Sequence, residues 1–488
     1  MAALDTCRAH LMQQSGNTSK YLQRYAEPGT AALYNQLFSR SSETPAYRFC
    51  LCLPVYDENP QILQRLQALA KHQARCLFIV VVNQPNTVAQ ASRANTQFVT
   101  AINNQLPVLA TAPGASLYAI DKHSGLLLLD RCTPGRQIDP RQGVGRARKI
   151  AADLALQLIY GHRVLQPFIF CSDADAHWPD DYFIAVQQSA AAHSPKTAAW
   201  IYPFKHIASP AQDSSPALHD ATLLYEKRLN AYVHGLNYAG SPYAYHTLGS
   251  TICIAAEHYA MVRGFPCRNA GEDFYILNKL RKTGSIVSLA QPLIYLDARA
   301  SSRTPFGTGS AAQQLAAKNG SEPACFYHPA LFFLLRLLLQ WQDALAVAMQ
   351  RDTALPWAEH LAHFVAAQLD HQSPARCDLT QRFTAAQLSD AMTAALEALD
   401  FASGLQHCQR QAMSAEAFAK HLYCWFDGFK TLKWLHHLRD SKLALHNLQL
   451  ESMQREWQRL PLAAKKTSQL ITKTARSNKQ EVAHQVTQ

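Results

Sequence analysis

The chain has 488 residues, 48% of them hydrophobic and 17% charged, with 19 Gly and 24 Pro. That is ordinary globular composition and enough length for two or three domains with sizeable cores. The formal net charge of +11, with 21 further His, suits an anionic substrate, nucleic acid or an acidic membrane surface and does not choose among them. The 12 cysteines include no Cys-x-x-Cys pair and no Cys/His cluster at zinc spacing, which sets a structural zinc site aside. The first residues, Met1 to Arg8, lack the apolar core of a signal peptide, and the most apolar run, Leu331 to Leu339, is short for a bilayer span and carries Arg336. These features predict a soluble, cytoplasmic protein with free thiols.

Residues 1–45 read as a polar helical lead-in. Arg48 to Tyr56 forms the first strong strand, which Pro54 is expected to end. Asn59-Pro60 then reads as the start of a helix with Ile62, Leu63, Leu66 and Leu69 on one face. The apolar run Cys76 to Val82 suits a parallel strand covered on both sides, so strand, helix and strand make a βαβ unit. The turns after both strands, Pro54 to Glu58 and from Asn83, lie at the sheet edge where open α/β sheets bind ligands. Leu117 to Ile120 and Leu126 to Leu129 flank a turn and predict a β-hairpin, with His123 a turn residue.

Gln142-Gly143-Val144-Gly145-Arg146-Ala147-Arg148-Lys149 opens a helix. Glycines there let backbone approach an anion, and three cations against the helix dipole are understandable if an anion sits nearby; a solvated basic turn is the plain alternative. Phe168-Ile169-Phe170-Cys171-Ser172-Asp173-Ala174-Asp175 runs an apolar strand into two carboxylates, a pattern suited to a hard divalent cation on a diphosphate; a capped turn with a solvated second acid is its alternative. Beyond a further strand, Ala198 to Pro203, the segment Asn237 to Ser250 mixes hydroxyls, rings and imidazole, with Tyr245 and His246 suited to stacking on and bonding a sugar-like ligand, or to ordinary loop packing. Glu272-Asp273 opens another helix, either as a dipole-stabilising pair or with one acid facing the cleft as general base. Ser301 to Gly309, with Arg303, has the makings of a lid over phosphates. From about 325 the pattern turns wholly helical, with a capping box at Thr384 to Gln387, and the last stretch from Lys465 is polar, basic and free of aromatics.

The order Pro54-Val55-Tyr56-Asp57-Glu58-Asn59, Gly145-Arg146-Ala147-Arg148-Lys149, Asp173-Ala174-Asp175, Gly264-Phe265 and Glu272-Asp273 resembles the GT-A fold glycosyltransferases, most closely the inverting family-2 group. The likeness runs from about 46 to 310, with Asp175 and Asp273 98 positions apart. It implies an α/β, Rossmann-like mixed-sheet domain at 46–324, an α-helical domain at 325–462 outside the common core, and a basic disordered tail at 463–488. It implies a hexosyltransferase-like enzyme that moves a sugar from a nucleoside-diphosphate donor to a hydroxyl acceptor of unstated class. Pro54, Tyr56, Glu58, Asn83, Gly145, Arg148, Lys149, Asp173 and Arg303 would bind the donor. Asp173 and Asp175 (the DXD motif) would hold Mg²⁺ or Mn²⁺, with the metal a Lewis acid on the departing diphosphate. Gly264, Phe265, Tyr245 and His246 would meet the acceptor, and Asp273, with Glu272 beside it, would deprotonate it.

The sequence departs from that family at Asn83, where an acid is usual, and at Lys149, where Asn is common. Relatives similar to mannosylglycerate or glucosyl-phosphoglycerate synthases retain configuration and use a late His as a metal ligand, for which His328 is the candidate. A sugar nucleotidyltransferase is a second class, opposed by the lack of glycine in the turn after the first strand. A non-catalytic binder of nucleic acid or membrane using the basic tail is a third; no specific nucleic-acid partner is expected, and the tail is a candidate for peripheral membrane contact.

Overall fold

The computed structural model describes residues 15–38, 47–58, 60–72, 75–194, 196–208, 215–300, 303, 307–317, 325–350, 356–370 and 378–461. The expected helix cap at Asn59, residues 301, 302 and 304–306 of the expected lid at 301–309, and the basic tail fall outside these residues. The chain divides into two compact units, and the division is not a single cut near 325. The first takes the described residues of Met1–His234, Pro242–Phe326 and Lys420–Lys433; the second takes those of Gly235–Ser241, Tyr327–Ala419 and Trp434–Gln488.

In the first unit, helices α1 (Ser15–Arg24) and α2 (Thr30–Phe38) precede β1 (Phe49–Val55), α3 (Ile62–His72), β2 (Cys76–Asn83), α4 (Arg93–Gln105), β3 (Val108–Ala112), β4 (Ala115–Ala119), β5 (Gly125–Arg131) and α5 (Gly143–Tyr160). Then follow β6 (Phe168–Cys171), β7 (Ala176–His177), α6 (Tyr182–Ala192), β8 (Thr197–Ile201), β9 (Phe204–Ala208), α7 (Pro216–Ala239, whose residues from Gly235 on count with the second unit), β10 (Ile252–Ala255), α8 (Ala256–Met261), α9 (Glu272–Thr283), β11 (Ser285–Ser288), β12 (Ile294–Ala298) and α10 (Thr308–Ala316). Nine strands make one mixed sheet in the order β11-β8-β10-β6-β1-β2-β5-β4-β3, and β7-β12-β9 make a second, smaller sheet. The fold is thus α/β with a mixed sheet, as the sequence indicates.

Strands β6, β1, β2 and β5 run parallel, so their carboxyl ends share one edge. β1 and β2 are buried along their whole lengths. Alternate residues feed two cores: Cys50, Cys52, Ile79 and Val81 meet α5 on one face, while Leu51, Leu53, Val80 and Val82 meet α3, α4 and α6 on the other. The expected hairpin is present, with β4 antiparallel to β5. Pro54 does not end β1: it lies in register with Val81. β6 pairs β1 only as far as Cys52. The amide Pro54 lacks would point past the end of β6, so no ladder bond is lost.

A buried polar knot fastens the N-terminal helix to α5. Asp153, fully buried, accepts from Tyr21 Oη at 2.6 Å, Tyr259 Oη at 2.7 Å, Lys149 Nζ at 2.7 Å and the Glu27 amide at 2.7 Å. Lys149 also donates to Tyr21 Oη at 2.7 Å. Tyr21→Phe removes one donor from a buried carboxylate and one acceptor from a buried ammonium. It is expected to cost about 1–3 kcal/mol in chemical denaturation; an unchanged midpoint would show the knot to be unimportant.

The segment Lys420–Lys433, although late in the chain, packs in the first unit against α9. Asp427 Oδ2 accepts from Asn278 Nδ2 at 3.0 Å and Lys282 Nζ at 2.6 Å, while Asn278 Oδ1 accepts from the Gly428 amide at 2.9 Å.

The second unit is helical in its described residues. Its core gathers Trp341, Leu361, Val365, Leu388, Met392 and Phe401, and Trp341 Nε1 donates to His360 Nδ1 at 2.9 Å. The capping box at Thr384 and Gln387 is formed. The apolar run belongs to a helix, Pro329–Gln350, that is longer than the run itself. Among the described residues it is the one helix long and apolar enough to cross a membrane, but 72% of that stretch is buried within protein, as in a core helix. Arg336 lies over the Tyr238 ring at 5.4 Å, which gives its charge a partner.

Candidate active site

The turn Asp173-Ala174-Asp175 leaves the end of β6 at the shared strand edge. It is held from beneath by Arg65 of α3, whose Nη2 donates to Ala174 O at 2.7 Å, and by the Asp297 amide of β12, which donates to Asp175 O at 3.2 Å. Arg65 also pairs with Asp297 at 3.6 Å, and His177 Nε2 lies 2.9 Å from Asp297 Oδ1. Two carboxylates spaced i, i+2 are therefore presented on a fixed turn.

Arg148, from the first turns of α5, is the hub behind them. Its Nε donates to Glu272 Oε1 at 2.8 Å, its Nη2 to Asp173 Oδ1 at 2.5 Å, and its Nη1 to the carbonyls of Ser172 at 3.2 Å and Gly249 at 3.3 Å. Burial opposes its charge, but Asp173 and then Glu272 outweigh that and hold it protonated beyond the ordinary arginine range. Gly249 must be glycine because a β-carbon there would stand 2.1 Å from the Arg148 guanidinium.

Consecutive residues then bind the two acids that the sequence singles out. The Gly249 amide donates to Asp273 Oδ2 at 2.9 Å, and Ser250 Oγ donates to Asp173 Oδ2 at 2.6 Å. Asp273 Oδ1 accepts from the Phe274 amide at 2.7 Å. Burial first, and the Glu272 charge next, push the Asp273 carboxyl up to about 7, against the pull of Arg148 and the Phe274 amide. Glu272 itself is buried against Arg148.

The second carboxylate of the turn has different company. Asp175 Oδ2 accepts from Arg299 Nε at 2.9 Å, and Arg299 Nη2 donates to Glu58 Oε1 at 2.6 Å and lies 2.9 Å from Asp175 Oδ2. Arg303 donates to Tyr56 O at 2.6 Å and to Glu58 Oε1. Burial works to raise the Asp175 pKa, but Arg299 and then Arg303 prevail and hold it below the usual carboxylate range. Sequence reasoning missed Arg299 and Arg65. Neither sits in a motif, and each finds its partner only through the fold.

Several expected site residues lie elsewhere. Asn83 Nδ2 donates to Val55 O at 3.1 Å and Val81 O at 3.2 Å, so it stitches two strand ends together and does not present its amide N–H to a base. Lys149 is consumed in the Asp153 knot. Gly145 gives no opening for an anion: a β-carbon there would meet Pro266 O at 2.4 Å, so its smallness serves helix packing. Gly264, at φ +68°, and Phe265 pack on Tyr21 and Tyr259, on the knot side of the unit and not as an acceptor floor. Tyr245 is buried and donates to Leu277 O at 3.3 Å. His246 packs edge-on against Phe204, and burial lowers its pKa to about 4. Pro54 is buried in β1, whereas the Tyr56 ring is only partly covered. His328 belongs to the second unit, where its Nδ1 accepts from the Ala330 amide at the start of its own helix.

Among the described residues no group of three or more His, Cys, Asp or Glu side chains is gathered as a metal cage. Both Asp173 oxygens are engaged, by Arg148 and Ser250. Asp175 and Glu58, by contrast, converge on one cation, the Arg299 guanidinium. Two carboxylates around one positive centre fit a hard divalent ion whose shell is completed by phosphate and water oxygens.

No family model matches the chain, and no curated protein matches it. Among solved structures, it is similar to a mannosyltransferase from Pyrobaculum calidifontis in complex with GDP-Man and Mn²⁺, at 15% identity, covering 80% of this chain and 92% of that one with a TM-score of 0.33. It is also similar to a mycobacterial protein at 11% identity, covering 56% and 73% with a TM-score of 0.29. At such scores the reading of this chain rests on its own residues.

Proposed function

We propose that this chain is a glycosyltransferase, moving a sugar from a nucleoside-diphosphate donor to an acceptor hydroxyl with inversion. The observation that carries the reading is the pairing of Asp173 and Asp273 through Ser250 and Gly249, with the Asp273 carboxyl brought to about 7. A carboxylate poised near neutrality can take a proton from an acceptor hydroxyl and is still ionised enough to act. Asp273 would take that proton as the acceptor oxygen bonds to the anomeric carbon and the nucleoside diphosphate leaves from the opposite side. Asp175 and Glu58 would hold Mg²⁺ or Mn²⁺ on the diphosphate, which supplies Lewis-acid stabilisation of the leaving group. Arg303 stands at the same carboxylates, within the expected donor side. In the retaining alternative His328 is the candidate late ligand; its Nδ1 accepts from the Ala330 amide at the start of its own helix.

Nucleoside-diphosphate sugars screened by thermal shift with Mn²⁺ test the reading, because a ligand that binds only the folded state raises Tm. Asp175→Ala is expected to weaken the stabilising donor by about tenfold or more and to remove its dependence on Mn²⁺ in calorimetry, since a charged ligand of the ion is lost. Unchanged donor affinity in that variant would remove Asp175 from the metal site.

A further inference from the structure

We infer that Arg299 is a resident counter-cation, seated at the divalent-ion position of the free protein, which gives up Asp175 and Glu58 when the donor arrives and turns to its diphosphate. The inference rests on the donor reading above. It names the carboxylate partner of Asp175 as Glu58 and adds a residue that no motif indicates.

Arg148 and Arg299, which both hold acids at this edge, differ in kind. Arg148 is sunk, with its side chain 4% exposed, and two of its bonds go to main-chain carbonyls, so it is a fixed strut. Arg299 is 23% exposed, and its hydrogen bonds go to the carboxylates of Asp175 and Glu58 alone among the described residues. Removing a guanidinium from two partly buried carboxylates would leave like charges unpaired, which is costly unless another cation replaces it at once. A divalent ion that enters with a diphosphate does so, and it brings phosphate oxygens that match the planar guanidinium fork as well as the carboxylates did. Arg303, which donates to the same Glu58 Oε1, keeps that acid in place during the exchange. Ion and diphosphate therefore bind as a pair: the ion alone meets a site already holding a positive charge.

The test is Mn²⁺ binding, followed by electron paramagnetic resonance on the whole chain, alone and with GDP or UDP. Wild type is expected to take up Mn²⁺ weakly alone and tightly with the matching nucleoside diphosphate. Arg299→Gln is expected to bind Mn²⁺ alone about tenfold or more tightly, since a like charge has left the site, and to lose affinity for the nucleoside diphosphate measured without metal. Equal Mn²⁺ affinity in wild type and variant, with nucleotide-coupled binding preserved, would overturn the exchange and leave the glycosyltransferase reading standing. No Mn²⁺ binding in either protein under any of these conditions would overturn the metal-assisted donor reading and the exchange with it. Should Arg299→Gln not fold, Arg299→Lys keeps the charge but not the two-armed grip. It is expected to shift Mn²⁺ binding the same way by a smaller factor, and no shift there overturns the exchange.

Discussion

Asp273→Asn is expected to lower kcat/KM for transfer by about 10²–10⁴-fold, the usual worth of a positioned general base, while donor affinity in calorimetry stays near wild type. The amide keeps the shape of the side chain but cannot accept the proton of an acceptor hydroxyl. In the wild type, kcat/KM should rise with pH on a limb centred near 7, because the base must be ionised and its carboxyl is pushed up to about 7. Stability should run the other way. A carboxyl whose pKa is raised in the folded state favours folding while it is protonated in both states, and that advantage is lost as pH rises from the ordinary aspartate range through about 7. The Tm of Asp273→Asn relative to wild type should therefore improve between pH 5 and pH 8. Full transfer activity in this variant would remove Asp273 from the chemistry.

Arg148→Met carries the largest expected effect on the fold. The guanidinium is 4% exposed and is bonded to Asp173 and Glu272, so its loss strands the buried Glu272 carboxylate and takes the counter-charge from the partly exposed Asp173. Breaking a buried pair from one side costs roughly 3–5 kcal/mol, to be read from urea denaturation at pH 7. A variant within about 1 kcal/mol of wild type would show that the hub is not needed to hold the acids.

What the sequence made legible is what local pattern controls. β1 and β2 are unbroken apolar runs, the β4–β5 hairpin is two such runs about a turn, and Asp173 and Asp175 follow an apolar strand directly. Asp273 stood out because it opens a helix beside a second acid. The short strands β7, β9 and β12 escaped notice because two to five residues with polar members carry little periodicity. Side-chain destinations were the harder part. The cations at the start of α5 were read against an unseen anion, yet Arg148 answers Glu272, 124 residues on, and Lys149 answers Asp153 one turn later. Arg299 meets Glu58 across 241 residues. The i,i+4 spacing links Lys149 to Asp153, but no local rule links Arg148 to Glu272 or Arg299 to Glu58; only the fold brings those together.

The segment around Asp427 gives the molecule an order of assembly. α9 carries Glu272 and Asp273 at its start, and its later turns are fastened by Asp427 through Asn278 and Lys282. Asp427 lies 149 residues beyond Asn278. On the ribosome, where chains emerge amino end first, the sheet can form early. The later turns of the helix that presents the proposed base can gain this fastening only after residue 427 has been made.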